Sequence, residues 1–130
     1  MGPMPWLIVA LGSAIGGVLR YAVSRAMPAQ SGSWPVATLS VNLTGSLLIG
    51  VLAAWFASRS ATIQADMNLR LFAMTGVLGG FTTYSAFALE TTLLGGSGMA
   101  LRALLYVVVT VLGCLLAAIL GRTIATALLG

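Results

Sequence analysis

Gly79-Gly80-Phe81-Thr82-Thr83-Tyr84-Ser85-Ala86-Phe87 is the stretch that decides how this chain folds. It lies inside an uncharged run from Leu71 to Leu89, close to the length a helix needs to cross about 30 Å of hydrocarbon. At about 1.5 Å per residue it starts roughly 12 Å into that run and continues past the midplane. Two glycines followed by Thr82, Thr83 and Ser85 make a poor continuous helix and a good helix break. In lipid, broken backbone survives only where protein or a water-filled cavity surrounds it, and its freed carbonyls are typical cation ligands. The simpler alternative is an intact helix weakened by glycine, with the hydroxyls bonded back to their own carbonyls.

Three more uncharged runs flank this one: Met1 to Leu19, Ala26 to Ser58 and Ala103 to Gly121. Of the 130 residues, 59% are apolar and 6% charged, and the mean hydropathy is +1.07. A soluble domain of this size could not bury so much apolar surface, so the lipid bilayer is the solvent to assume. Turn-forming residues separate the runs: Pro28, Gly32, Ser33 and Pro35, then Ser58 to Asn68, then Gly95, Gly96 and Gly98. The pattern predicts an all-α integral membrane protein, one domain over 1–130, with four transmembrane helices near 5–26, 36–57, 70–94 and 99–127. The first run lacks the basic start and cleavage site of a signal peptide and reads as a spanning helix.

The charges are six arginines and two acids, Asp66 and Glu90, with neither lysine nor histidine. Arginines scattered at the ends of apolar runs suit headgroup anchoring by snorkelling and not a nucleic-acid face, so no nucleic acid is expected as a partner. Arg59, Arg70 and Arg122 fall on one side of the membrane, and Arg20, Arg25 and Arg102 on the other. Orientation follows the excess of Lys and Arg near helix ends, and an even split gives no instruction, which suggests insertion in both directions. Cys114 is the single cysteine, which excludes an intramolecular disulfide and a zinc cluster.

Small residues recur at four-residue spacing: Gly12 and Gly16, Ser46 and Gly50, Gly76 and Gly80, and Gly113, Ala117 and Gly121. In lipid, close backbone approach through small residues supplies packing energy between helices. Four short helices are few to enclose a pore, so a dimer is expected.

Polar residues within the spans form short stripes. Thr38, Asn42 and Ser46 are spaced by four, with Gly45 beside them. An intramembrane Asn needs a partner and should face the bundle interior; its amide also suits an anion, and a purely structural interhelical bond explains it equally well. Phe81, Tyr84 and Phe87 follow i, i+3 spacing. Such a stripe is usually core, but the electropositive edge of a ring can also touch a small dehydrated anion without holding it too tightly. Thr110 and Cys114 form a shorter, weakly polar face, for which packing is the favoured explanation. Arg20 and Glu90 either end apolar segments or act on ions, Arg20 by attracting anions into a vestibule and Glu90 by accepting a hydrogen bond from another helix. With no His, no Ser/His pair and no paired intramembrane carboxylates, catalysis is not expected.

These residues resemble the Fluc family of bacterial fluoride channels. The resemblance is carried by Gly16-Gly17-Val18-Leu19-Arg20-Tyr21, by Ala37 through Gly45, and most specifically by Gly76 through Glu90. It implies two subunits inserted antiparallel in the bacterial plasma membrane as a homodimer, two fluoride pathways, and a structural sodium ion on the two-fold axis. By motif position the backbone carbonyls of Gly79 and Thr82 would hold the sodium. Asn42, Tyr84, Phe87, Thr83, Ser85 and Thr110 would belong to the fluoride pathway, with Arg20 and Glu90 near opposite vestibules. Where the family usually reads TTFSTF, this chain has Tyr84 and Ala86: one hydroxyl is added on a ring and another is lost. The rivals are a small four-helix multidrug transporter, which needs a titratable carboxylate in its first or another central span, the first span having none, and a noncatalytic subunit of a larger membrane complex.

Overall fold

A computed structural model of the chain describes residues 4–28, 33–59 and 64–129. The described residues form helices and connections, without a strand among them. Helix α1 is Met4–Ala26 and α2 is Val36–Ala57. Helix α3 covers 64–81: an α-helical start at Gln64–Arg70, a π-helical stretch at Leu71–Leu78, and a last turn at Gly79–Phe81. Helix α4 is Tyr84–Gly96 and α5 is Ala100–Leu129. Four helical segments are long and apolar enough to cross a membrane, the third running from Asp66 to Gly96.

The ends follow local chemistry. Pro35 directly precedes α2, where a residue without an amide hydrogen costs no helical bond. Arg25 occupies the last turn of α1, the negative end of the helix dipole. Between α4 and α5 the chain reverses through Gly98, whose φ of +79° is the left-handed conformation that glycine adopts without strain.

The third helix differs from expectation at its start. It begins at Gln64, six residues before 70 and inside the stretch 58–68 expected to be turn-rich. Asp66 in its first turn faces the positive end of the helix dipole and pairs with Arg59 at 3.6 Å. Arg59 also lies over the Trp55 ring, 4.6 Å from its centre. Gly32 and residues 60–63, parts of the expected connections, lie outside the described residues. The π-helical winding at Leu71–Leu78 has no mark in the residue pattern, which is uniformly small or apolar apart from Thr75; such windings occur frequently at functional sites.

Helix packing is backbone to backbone. A Cβ built on Gly12 would lie 2.8 Å from Gly76 Cα, and one on Gly80 would lie 2.9 Å from Ser13 Cα. The Gly12/Gly16 pair of α1 therefore meets the Gly76/Gly80 pair of α3, and the two small-residue repeats serve packing within one subunit. Helices α2 and α5 cross the same way: a Cβ on Gly50 would strike the Ala118 carbonyl, and one on Gly121 the Leu47 carbonyl. Elsewhere large apolar side chains such as Leu104, Leu112, Leu116 and Ile119 stand exposed, as a lipid-facing surface requires.

Candidate functional site

At Thr82 and Thr83 the backbone leaves the helix. Thr82 has φ −76° and ψ 158°, Thr83 has φ −149° and ψ 114°, and winding resumes at Tyr84. Asn42 on α2 lies against this pair. Its Oδ1 accepts from the Thr83 amide at 2.8 Å and its Nδ2 donates to the Thr83 carbonyl at 3.0 Å. One buried side-chain amide thus satisfies both backbone groups of the same residue. This is the partner that an intramembrane Asn requires, supplied by the segment that an interrupted helix leaves in need.

Thr83 also caps the helix that follows. Its Oγ1 accepts from the Ala86 amide at 3.2 Å and lies 3.3 Å from Ser85 Oγ, the pattern of a threonine N-cap. On the near side, the Leu78 carbonyl accepts from the Thr82 amide at 3.0 Å and from Thr82 Oγ1 at 2.9 Å. Gly45 faces Thr82, whose Cγ2 occupies the space a Cβ on Gly45 would need.

A groove of about 480 Å³ runs beside the extended pair, lined by Asn42, Ser46, Gly79, Thr82, Thr83, Tyr84, Phe87, Thr110 and Cys114 among others. The Tyr84 and Phe87 rings are 5.6 Å apart at 58°. Tyr84 is 80% exposed and Phe87 6%, so the first ring projects from the chain while the second is packed inside it. Phe81 lies before the interruption and does not continue their helix, which divides the expected i, i+3 stripe. Thr110 Oγ1 is buried with no partner in hydrogen-bond geometry.

Glu90 lies in a second place. Its Oε1 accepts from Thr38 Oγ1 at 2.6 Å and its Oε2 from Tyr106 hydroxyl at 2.8 Å, joining α2, α4 and α5. Glu90 and Thr38 also line a cavity of about 330 Å³ with Ser24, Met27 and Trp34. Tyr106, fully buried, packs on Phe87 at 5.3 Å and on Trp34 at 6.2 Å. It therefore touches residues of both cavities, Phe87 of the groove and Trp34 and Glu90 of the second. Tyr106 is absent from the polar stripes read in the sequence, although extending the Thr110 and Cys114 spacing back by one turn reaches it. Tyr106→Phe would leave Glu90 Oε2 without its donor and is expected to destabilise the protein by about 1–2 kcal/mol. A thermal melt in detergent equal to wild type would show that the bond contributes nothing.

Arg20 reaches the interruption itself, its Nε donating to the Gly80 carbonyl at 3.1 Å. The structure thus brings Asn42, Gly79, Thr82, Thr83, Tyr84, Phe87 and Thr110 to one groove, with Ser85 bonded at its edge. Arg20 lies behind the interruption, and Glu90 in the adjoining cavity. Among the described residues no three His, Cys, Asp or Glu side chains form a metal cluster.

The family profile described as CrcB-like protein, Camphor Resistance (CrcB), matches residues 7–122. The chain belongs to the CrcB-like family. Its CrcB-like relatives include a protein of Methylobacterium sp. (strain 4-46) named fluoride-specific ion channel FluC, 44% identical over 123 residues that cover 95% of this chain and 94% of the relative. Proteins of the same name from Methylobacterium nodulans and Paramagnetospirillum magneticum are 45% identical over 115 residues and 44% identical over 124. They cover 88% and 95% of this chain, and 87% and 96% of their own lengths. With four apolar helices and these relatives, this CrcB-like chain is a multi-pass bacterial membrane protein.

Proposed function

We propose that the chain forms a fluoride-selective channel, through which fluoride accumulated in the cell leaves passively. The observation that carries this is the groove, where the hydroxyl groups of Thr83 and Thr110 and the rings of Tyr84 and Phe87 gather beside two residues of extended backbone. A small anion is strongly hydrated, and a narrow route must replace that shell with donors that release it again. Hydroxyls, an amide and electropositive ring edges are such donors, and none carries a full positive charge. The name carried by the relatives, fluoride-specific ion channel, agrees.

The working unit is an antiparallel homodimer. Tyr84, 80% exposed in the single chain, would place its phenol in lipid, and a second copy laid on this face would cover it. The arginines divide three and three between the two sides, which favours insertion both ways.

A structural sodium ion at the interruption fits the residues present. The Thr83 amide, which a continuous helix would give to the Gly79 carbonyl, goes to Asn42; the Ala86 amide, due to the Thr82 carbonyl, goes to Thr83 Oγ1. Hard carbonyl oxygens whose helical donors are bonded elsewhere suit a hard cation. Gly79 and Thr82 from each subunit would hold it, and its positive charge would offset the orphan carbonyl dipoles at the end of α3.

Purified protein in liposomes, monitored with fluoride and chloride electrodes while an ionophore dissipates the voltage, tests the channel directly. Fast fluoride efflux without matching chloride efflux is expected; folded protein that releases neither ion would sink the proposal. In the same assay Phe87→Ile removes a ring 6% exposed between Tyr84 and Tyr106. Its fluoride flux is expected to fall at least about tenfold, the loss of one favourable contact of roughly 1.4 kcal/mol, with the dimer intact by size exclusion. Wild-type flux would remove Phe87 from the pathway.

A further inference from the structure

The last carbonyls of a helix have no partner within it, and at the end of α3 the protein treats them unequally. Leu78 receives the amide and the hydroxyl of Thr82. Gly80 receives Arg20 Nε from α1 at 3.1 Å. The amides that would have served Gly79 and Thr82 are drawn off by Asn42 and by Thr83 Oγ1. Protein donors therefore close the Leu78 and Gly80 carbonyls and turn away from those of Gly79 and Thr82.

Arg20 is delivered to Gly80 by close backbone packing of α1 on α3. A Cβ on Gly16 would lie 2.7 Å from the Phe81 nitrogen and 3.0 Å from the Gly80 carbonyl carbon, so α1 and α3 touch at the interruption. Arg20 follows Gly16 by four residues, on the same face of α1 one turn along. Its guanidinium is planar and always charged, and it meets the negative end of the α3 dipole.

We propose that Arg20 is a positioning residue for the cation site: by engaging the Gly80 carbonyl it holds the turn in which Gly79 and Thr82 offer their oxygens to sodium. This rests on the sodium site proposed above. Geometry and charge act here with opposite signs. A guanidinium near a cation repels it, so an arginine acting through charge alone would weaken sodium binding and its removal would tighten it. An arginine acting through the Gly80 bond does the reverse. An arginine serving only to attract anions would change fluoride flux and leave sodium dependence untouched.

Two substitutions separate these roles. Arg20→Gln deletes the charge but places an amide N–H donor the same number of bonds from the backbone as Nε, whereas Arg20→Met keeps the length and has no donor. The sodium dependence of the thermal unfolding midpoint is measured for the full-length protein in detergent, with N-methylglucamine replacing sodium, and fluoride efflux from liposomes serves as a second readout. Arg20→Met is expected to need at least about tenfold more sodium for the same stabilisation, the equivalent of losing one charge-assisted hydrogen bond. Arg20→Gln is expected to remain within about threefold of wild type. Should Arg20→Met fail to fold at any sodium concentration, Arg20→Ala, which also lacks the donor, takes its place: a sodium requirement raised at least about tenfold supports the proposal and a wild-type midpoint overturns it. Equal sodium midpoints in all three proteins, a tighter one in Arg20→Met, or Arg20→Gln behaving like Arg20→Met would each overturn it. A wild-type protein whose melting ignores sodium would remove the sodium site itself, and this role of Arg20 with it.

Discussion

Replacing Asn42 with alanine is expected to abolish measurable fluoride conduction and to destabilise the protein. The side chain is 7% exposed and makes both bonds to Thr83, one in each direction. Interhelical hydrogen bonds inside membranes contribute about 0.6 kcal/mol on average and at most about 1.7, so two of them on one residue amount to about 1–3 kcal/mol. The effect on conduction should be larger than that figure suggests. Without Asn42 the Thr83 amide and carbonyl are unpartnered in a low-dielectric environment, and the cheapest relief is to wind residues 82 and 83 back into the helix. That would turn Tyr84, Phe87 and Thr83 away from their places along the groove and return the Thr83 amide to the Gly79 carbonyl. Asn42→Asp provides the graded comparison, because a carboxylate can still accept from the Thr83 amide but cannot donate to its carbonyl. Fluoride efflux and the detergent melt are measured on both variants. Full flux in Asn42→Ala would show that the extended pair stands without its α2 partner.

Gly16→Val should cost more stability than any other single change considered. A Cβ at this position would run into the Val77 carbonyl oxygen and sit 2.7 Å from the Phe81 nitrogen. The obstacles are backbone atoms of α3 and cannot rotate aside as a side chain would. Overpacking a well-packed interior usually costs about 1–3 kcal/mol; with two helix backbones forced apart the cost here should reach or exceed the top of that range. The separation would also draw Arg20 from Gly80, since one turn of α1 links the two. The measurement is the yield of folded protein on size exclusion together with its melt. Gly17, around which a Cβ would meet nothing within 4 Å, is the control: Gly17→Val should be expressed and folded like wild type apart from local propensity. Equal behaviour of the two variants would mean that the close approach of α1 and α3 is not what holds them together.

The four-helix plan was legible because lipid leaves a coarse record. Long uncharged runs, turn residues between them and arginines at their ends follow from the cost of exposing polar groups to hydrocarbon, which acts on each segment separately. The glycine pairs were visible as a spacing for the same reason. Which pair meets which was not: Gly12 and Gly16 could have served any neighbour, and only the packed bundle sets them on Gly76 and Gly80. The start of α3 at Gln64 was missed because a short polar helix outside the apolar run carries no hydropathy signal, and an ion pair between Arg59 and Asp66 depends on how the chain returns.

For the candidate site, sequence alone determined the residue types and their depth: an asparagine, hydroxyls and a glycine pair near the middle of apolar runs, because polar groups and helix-weakening glycines are costly there and stand out, with two rings beside them. Tertiary structure decided their relations. It set Asn42 on Thr83, 41 positions away, made Tyr106 the link between Phe87 and Glu90, divided Phe81 from Tyr84, and brought Arg20 to Gly80. The physical reason is that a hydrogen bond between helices depends on the rotation and crossing of both partners. Those are settled by which small residues let two backbones touch, a property of the pair of helices that neither strand of sequence contains by itself.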